Sequence, residues 1–330
     1  MKWRRMIAGL GMTMLAAGLV MCWMIWQWSG QNPFAPAEAA GYREVQLTPG
    51  DMQTVSITIE ENSGGVHLLR STDDQIHVAC HETDRERLEM MQDAEGNVLI
   101  RRIDERRWYE RISFFSYWPD CIMEVSLPAG FAGDVTVRAG SGEIVAEETA
   151  AAGSLTLETS NGRIAAACQA VKRLTVTIGN GSVLLEDTDV EENAFVRSGN
   201  GRIALDGLSA GIVEAYTGNG RMAFTGVEVQ SLSAESTNGA IWAQNTVAAE
   251  RLSLKTHNGD IGLERAAGME LLLASHNGTV KGSIVGTEQE YEISAETVNG
   301  DIRVPDGRKG ARNKLDVSTG NGDVELEFVE

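Results

Sequence analysis

The segment LSLKTHNGDI, residues 252–261, places apolar residues on both sides of an Asn258-Gly259 pair. Leu252 and Leu254 alternate with polar residues before the pair, and Ile261 follows two positions after Gly259. Successive side chains of a β-strand point to opposite faces, so residues two apart share one face. The segment therefore predicts two short strands, each with one buried face, joined by a tight turn at Asn-Gly.

Similar segments recur along the chain as far as its last residues. Consecutive glycines of the ten copies are 19 to 22 residues apart, and Ser141-Gly142 is a first, degenerate copy. The nine Asn-Gly pairs are Asn161-Gly162, Asn180-Gly181, Asn200-Gly201, Asn219-Gly220, Asn238-Gly239, Asn258-Gly259, Asn277-Gly278, Asn299-Gly300 and Asn321-Gly322. A fixed period of this length is the sequence signature of a solenoid, in which each repeat forms one coil.

The repeats agree position by position when each is numbered from its Asn, n. Positions n-6 and n-4 are apolar or Ala in every copy, and n-2 is small and usually carries a hydroxyl. The n+3 residues are all apolar: Ile144, Ile164, Val183, Ile203, Met222, Ile241, Ile261, Val280, Ile302 and Val324. An array of separate β-hairpins also fits Asn-Gly turns, but two-stranded units cannot bury an apolar face alone.

We therefore predict an all-β fold, a single-stranded parallel β-solenoid (β-helix) of about 20-residue repeats. Each strand pairs in parallel with its equivalent one repeat later. In this fold the glycine adopts the left-handed αL conformation at the corner, and the Asn side chains hydrogen-bond along the axis as a ladder. The n-2 hydroxyls close the corner on the inside.

Residues 1–28 predict a cytoplasmic start and a transmembrane anchor. Residues 6–26 carry no charge, and Lys2, Arg4 and Arg5 precede them. About 20 apolar residues cross the hydrocarbon core of a bilayer, and flanking basic residues favour the cytoplasmic side. We therefore expect a single-pass protein of the cell membrane with an extracytoplasmic C-terminal domain. A cleaved signal peptide is the alternative, because small residues at 35–40 suit a cleavage site.

The remaining chain divides into a stalk (29–44), irregular N-terminal cap coils (45–133) and regular solenoid repeats (134–330). Apolar alternation in the cap region runs through Ile57 and Ile59, crosses Gly64-Gly65 and returns at Ile76 and Val78. Residues 101–119 are rich in Arg and aromatic side chains and predict an excursion loop. Cys80 and Cys121 form either a disulfide or two separate buried thiols, and the sequence does not distinguish these two states.

Three features are similar to those of one bacterial family. They are the N-terminal span, the Leu127-Pro128-Ala129-Gly130 segment, and the Ser-Gly-Glu-Ile or Asn-Gly-Asp-Ile/Val turns that recur about every 20 residues. The chain from 45 to 330 resembles the "putative adhesin" family of unknown function that includes LiaG-like membrane proteins. The resemblance implies a β-solenoid in an envelope protein. It brings no catalytic residues.

The charge balance excludes some functions. The chain has 28 basic and 47 acidic residues, a formal net charge of -19. Removing residues 1–40 removes three basic residues and one acidic residue, which leaves a charge near -21. Such a surface repels polyanions over most of its area, so we expect no nucleic-acid partner. The acidic residues scatter over outward positions and form no catalytic cluster, which favours a non-catalytic protein over a polysaccharide-acting enzyme.

Two metal hypotheses arise from the turns. Asp follows Asn-Gly at Asp260, Asp301 and Asp323, but calcium-binding β-rolls use a nonapeptide with several Gly and a recurring Asp. His257 and His276 occupy n-1 in consecutive repeats, but no third ligand is evident. We therefore expect no metal and no cofactor.

The n+2 column offers a candidate binding site. It contains Arg163, Arg202 and Arg221 in its first half, and the three aspartates in its second half. The arginines are either ordinary solvated charge or a cationic strip that holds phosphate or carboxylate groups of an envelope polymer.

Two functions follow: a binding or adhesion module for a cell-envelope polymer, or a structural or regulatory envelope-stress protein that acts through a membrane protein partner. The oligomeric state stays open.

Overall fold

The computed structural model describes most of the chain after residue 40: 41–47, 54–62, 64–73, 75–82, 85–105, 122–128, 130–147, 153–168 and 170–330, with Gly18, Val20, Met21 and Met24. Its strands join in one sheet. They are β1 (Gly41–Leu47), β2 (Ser56–Glu61), β3 (Gly65–Arg70), β4 (Ile76–Glu82), β5 (Glu86–Gln92), β6 (Asn97–Asp104), β7 (Ile122–Leu127), β8 (Asp134–Glu147), β9 (Ser154–Ala167), β10 (Val171–Glu186), β11 (Asp189–Asn200), β12 (Ile203–Asp206), β13 (Ser209–Asn219), β14 (Met222–Thr225), β15 (Glu228–Asn238), β16 (Ile241–Gln244), β17 (Val247–Asn258), β18 (Ile261–Asn277), β19 (Val280–Val285), β20 (Tyr291–Asn299), β21 (Ile302–Arg303), β22 (Asn313–Asn321) and β23 (Val324–Val329). A 3-10 turn, Glu288–Glu290, precedes β20.

The regular part is a parallel β-solenoid, as predicted. Equivalent strands of successive repeats pair in parallel with their Asn residues aligned, as in Asn219 opposite Asn200 and Asn238 opposite Asn219. The n-6, n-4 and n+3 side chains line the core in every coil except that of Asn299, and Leu252, Leu254 and Ile261 are each fully buried. Burial of one face of every strand is the main stabilising contribution, since no coil buries an apolar face alone.

Two ladders of side chains hold the Asn-Gly corner, and both were predicted. From Asn180 onward, each Asn donates from its Nδ2 to the Asn Oδ1 of the neighbouring coil, for example Asn219 to Asn200 at 2.6 Å and Asn238 to Asn219 at 2.8 Å. Inside the corner, the n-2 hydroxyl donates to the glycine carbonyl of the neighbouring coil, as Thr256 Oγ1 does to Gly239 at 2.9 Å. These hydroxyls are buried and would be costly to leave without a partner.

The predicted αL conformation of the corner glycines is wrong. Six of them have φ between 131° and 159°, far from the αL value, and Gly220 is not among the residues with positive φ. Glycine is required because the coils approach closely. A Cβ on Gly220 would lie well inside 3.0 Å of the Gly201 carbonyl oxygen, a distance that real Cβ atoms do not show.

The αL conformation occurs at a second corner, position n+7, which the sequence analysis missed. Asp187, Gly207, Gly226, Asn245 and Arg265 occupy it with φ between 44° and 65°. Residue identity varies there because the neighbouring coil leaves room: the nearest atoms to a Cβ on Gly226 are 3.8 and 4.0 Å away. Because different residue types adopt the same φ at n+7, the sequence shows no conserved residue type that would predict this corner.

These two corners predict opposite sensitivities to substitution. Gly220→Ala should lower the free energy of unfolding by about 1 to 3 kcal/mol, because its methyl group overlaps the Gly201 carbonyl. Gly226→Asn should change it by no more than about 0.5 kcal/mol, since Asn245 already occupies the equivalent corner of the next coil. Thermal unfolding followed by circular dichroism measures both variants. Equal effects would contradict close coil approach as the reason for the Asn-Gly glycines.

Bulges between several pairs of neighbouring coils accommodate the difference between repeats of 19 and 20 residues. Between β11 and β13, Val190 lies opposite Ala210, but Asn193 lies opposite Ile212, so one coil has one more residue there. The Asn-Gly corners stay aligned because the extra residue is confined to the bulge.

The last two repeats are stacked in inverted order, which the sequence analysis did not predict. β22 lies between β18 and β20 and pairs in parallel with both. Asn321 donates to Asn277 at 2.7 Å, and Asn299 donates to Asn321 at 2.8 Å. The prediction that each strand pairs with its equivalent one repeat later is therefore wrong for the coil of Asn277, which pairs with the coil two repeats later, but it holds between the coils of Asn299 and Asn321. The coil of Asn299 forms the C-terminal end of the stack.

The segment that connects these two coils crosses the end of the core. The Arg308 N–H donates to the Tyr291 carbonyl at 2.9 Å, and Gly307 packs directly against Ile293. Beyond this crossing, Val298 and Ile302 of the terminal coil are 81% and 46% exposed.

The N-terminal cap combines two coils of the parallel stack with antiparallel strands, since β6 and β7 pair in parallel with β2 and β3. β2 and β3 pair in parallel with the two halves of β8, across the predicted Gly64-Gly65 corner. β4, which contains Ile76 and Val78, instead pairs antiparallel with β1 and β7, and β5 pairs antiparallel with β6. Apolar alternation is the same in both kinds of sheet, so it could not give the strand direction.

Several predictions lie outside the described residues. Within the described residues, no helix is long and apolar enough to cross a membrane, and the predicted span 6–26 lies almost wholly outside them. Cys121 also lies outside, while Cys80 is buried in β4. Residues 101–104 of the predicted excursion loop belong to β6, and 106–119 are not described.

Candidate ligand-binding face

The second strands of the coils present their n+2, n+4 and n+6 side chains outward. We call this surface the second-strand face. Its n+2 column contains Arg202 and Arg221 in adjacent coils, because Ile203 lies directly opposite Met222. Their backbones are therefore about 4.8 Å apart. The adjacent n+4 residues, Ala204 and Ala223, are small, so the two guanidinium groups border a shallow surface.

The three predicted arginines are not equivalent. Ser182 separates Arg163 from Arg202 in the column, and Arg163 pairs with Glu143 at 3.3 Å. Among the residues that the structure describes, neither Arg202 nor Arg221 has a carboxylate partner, and both are exposed. Like charges directly opposite in a sheet destabilise it. The structure thus brings two of the three arginines together as an exposed, unneutralised pair.

The aspartates of the same column have a structural role. Asp260 accepts the Thr279 N–H at 2.8 Å, and Asp323 accepts the Asp301 N–H at 2.9 Å, in each case from the next coil of the stack. Each of these carboxylates satisfies a backbone donor at the edge of the Asn-Gly corner. The Asp column therefore extends the hydrogen bonding of the corner.

His257 and His276 stack face to face, as their register predicts. Their ring centroids are 4.6 Å apart with an interplanar angle of 4°. Parallel rings direct their nitrogen lone pairs in parallel, so the two imidazoles do not converge on one ion in this arrangement. Within the described part of the chain, no group of three or more His, Cys, Asp or Glu residues has metal-binding geometry.

One histidine of the cap forms a hydrogen bond with a carboxylate. His77 Nε2 lies 2.8 Å from Asp73 Oδ1, and Asp73 also accepts hydrogen bonds from Gln75 and Ser71. These bonds stabilise the carboxylate and lower the pKa of Asp73, with the His77 contact contributing most.

Trp242 is a feature of the second-strand face that sequence reasoning missed. It occupies n+4 and is 39% exposed. Its six-membered ring covers Gly262, the n+4 residue of the next coil, and Gly262 is buried although it faces outward. A Cβ at Gly262 would overlap the ring carbons Cε3 and Cζ3. We call the ring of Trp242 the platform. One sequence signal could have indicated it: a bulky n+4 residue is followed by glycine at n+4 of the next repeat.

A shallow groove of about 530 Å³ adjoins the indole. Lys281, Arg303, Glu325 and Glu327 contribute to its walls. Arg303 is neutralised by Glu325 at 2.6 Å and lies 3.6 Å from Asp301. Lys281 is exposed, and among the described residues it has no carboxylate partner. The groove therefore combines an apolar platform with one available cation.

Comparison with known proteins places the chain in one family. The family model described as Toastrack DUF4097 matches residues 54–220 and 212–330. The chain belongs to the Toastrack DUF4097 family, which confirms the resemblance seen in its turns. No curated protein matches it.

Several solved structures are similar to the chain at low sequence identity. A "putative lipid binding protein" from Parabacteroides distasonis has a TM-score of 0.47 at 10% identity, over 89% of this chain and 98% of that one. A "putative adhesin" from Parabacteroides merdae has a TM-score of 0.45 at 11% identity, over 88% and 98%. A "putative adhesin" from Bacteroides fragilis has a TM-score of 0.38 at 13% identity, over 88% and 99%.

Proposed function

We propose that the protein is a non-catalytic, membrane-anchored module that binds an anionic polymer of the cell envelope through its second-strand face. The anchor is residues 6–26, and the solenoid lies on the extracytoplasmic side. The observation that carries the proposal is the Arg202–Arg221 pair, exposed and without a carboxylate partner among the described residues of a strongly acidic domain.

The chemistry of the pair suits phosphate or carboxylate groups. A guanidinium donates two parallel hydrogen bonds to such an anion, and an anion between two adjacent arginines also relieves their mutual repulsion. The surrounding charge near -21 opposes long-range attraction. We therefore expect modest affinity that depends on contact at the pair.

The test is retention of the purified full-length protein on immobilised glycerol-phosphate teichoic acid. Arg202→Ala/Arg221→Ala should weaken binding about tenfold at low salt, since charge-assisted hydrogen bonds contribute more than neutral ones. Binding of the wild type should also weaken as salt rises to about 0.15 M, where exposed charges are screened.

The matched control is Arg138→Ala/Arg173→Ala. It removes the same charge from first strands, where Arg138 pairs with Glu158 at 3.1 Å and Arg173 with Glu192 at 3.4 Å. The control should retain wild-type binding. If both double variants lose affinity equally, net charge and not the pair governs binding, and the proposal is wrong.

A protein partner is the second candidate function, favoured by the C-terminal end of the stack. Val298 and Ile302 are exposed there beside the outermost strand, and exposed apolar side chains at a strand edge favour association. A regulatory protein of the envelope would use this end to contact a membrane protein. If the wild type does not bind teichoic acid but captures a membrane protein that Val298→Lys fails to capture, this second function is supported.

A further inference from the structure

Trp242 is held as a platform and is not simply an exposed side chain. Single exposed hydrophobic residues are common and need no explanation. Trp242 differs because its ring packs directly on Gly262. The ring occupies the space that a side chain at position 262 would fill, and the ring buries the Gly262 backbone. The indole is thus fixed against the sheet, and 39% of the residue stays accessible. A fixed aromatic surface loses little conformational entropy when a ligand packs on it.

The surroundings of the platform indicate the class of ligand. A pyranose ring has a flat apolar surface of C–H groups and a polar rim, so it packs on an indole while its hydroxyls face charged neighbours. Glu325 and Glu327 can accept hydrogen bonds from hydroxyls, and Lys281 can pair with a carboxylate or phosphate. A purely apolar ligand would leave these charges without solvent or partners.

The arginine pair lies in the n+2 column of the second-strand face, and Trp242, Gly262 and Lys281 lie in the adjacent n+4 column. Arg221, Trp242, Gly262 and Lys281 belong to four successive coils, and Arg202 belongs to the coil before them. From Arg202 to Lys281 there are four coil steps, about 19 Å at the strand spacing of a sheet. This length fits a few sugar residues of an extended polymer along the solenoid axis.

We propose that Trp242, with Lys281 beside it, is the saccharide subsite of the second-strand face, and that the polymer is an acidic glycan. A pyranose ring stacks on Trp242, its acidic group pairs with Lys281, and further acidic groups along the chain reach Arg221 and Arg202. This inference rests on the proposed function and specifies its ligand class.

The experiment measures binding of the purified full-length protein to three probes: hyaluronan, which has pyranose rings and carboxylates; dextran, which has neutral pyranose rings; and polyphosphate, which has charge without rings. Trp242→Ala should weaken hyaluronan binding about tenfold, a typical loss for a tryptophan at the centre of an interface. It should leave polyphosphate binding within about twofold, because the arginine pair is intact. Lys281→Ala should weaken hyaluronan binding and leave any dextran binding unchanged.

Two control variants isolate the platform. Trp242→Phe keeps an aromatic surface and should retain most hyaluronan binding. Phe195→Ala removes an aromatic residue of similar exposure, 37%, from a first strand and should have no effect. Thermal unfolding of each variant confirms that the solenoid is folded under the binding conditions.

The outcomes separate this inference from the proposed function. If Trp242→Ala binds hyaluronan like the wild type while Arg202→Ala/Arg221→Ala does not, the polymer-binding face stands and the saccharide subsite is overturned. If Trp242→Ala loses polyphosphate as much as hyaluronan, the stacking role is also overturned. If the wild type binds neither hyaluronan nor polyphosphate nor teichoic acid, the proposed function itself is wrong.

Discussion

Arg102→Met should lower the free energy of unfolding by about 3 to 5 kcal/mol, because it removes the guanidinium group that pairs with a buried carboxylate. Glu61 is fully buried, and its Oε2 accepts a hydrogen bond from Arg102 Nε at 2.6 Å. Arg102 also donates to the His81 carbonyl at 3.1 Å, and Glu61 accepts the Gly64 N–H at 3.1 Å. The pair therefore joins β2, β4 and β6 at the N-terminal end of the stack.

Urea denaturation followed by circular dichroism measures this effect. Arg87→Met is the matched control, since Arg87 pairs with Glu105 on the surface, where both side chains are more than half exposed. The control should change the free energy of unfolding by no more than about 1 kcal/mol. Glu61→Leu/Arg102→Met should be more stable than Arg102→Met alone, because it removes both charges. A double variant no more stable than the single one would contradict the buried-charge explanation.

Leu254→Ala should lower the free energy of unfolding by about 2 to 5 kcal/mol, the usual cost of a cavity at a buried leucine. Leu254 is fully buried at n-4 in a middle coil, with Leu273 and Ala234 opposite it in the neighbouring coils. Since each coil is stabilised mainly by its neighbours, a cavity here weakens both interfaces.

Val298→Ala is the control for the core variant. Val298 is 81% exposed on the outermost coil, so its truncation should cost no more than about 0.5 kcal/mol. Urea denaturation of the two variants gives the comparison. Similar small losses for both would mean that n-4 does not face the core.

The candidate binding site was only partly predictable from sequence. The n+2 column of arginines followed from the repeat, because residues at the same offset stack. Side-chain contacts between coils determine which arginines have a carboxylate partner. Arg163 is neutralised by Glu143 of the preceding coil, whereas Arg202 and Arg221 have no such partner among the described residues. Trp242 was missed because its role depends on the ring conformation and on glycine in the next coil.

The repeat pattern was sufficient to predict the solenoid, the alignment of its Asn-Gly corners, the Asn and hydroxyl ladders, and the buried columns represented by Leu254 and Ile261. These features were predictable because they depend on local alternation and on a period that ten copies repeat. The folded structure was needed to establish the direction of β4, the conformation of the corner glycines and the inverted order of the last two coils. Asn321 and Asn299 carry the same donor and acceptor, so a ladder forms in either order, and alternating side chains fit parallel and antiparallel partners alike. Only contacts between residues distant in the chain distinguish these arrangements, such as Gly307 against Ile293.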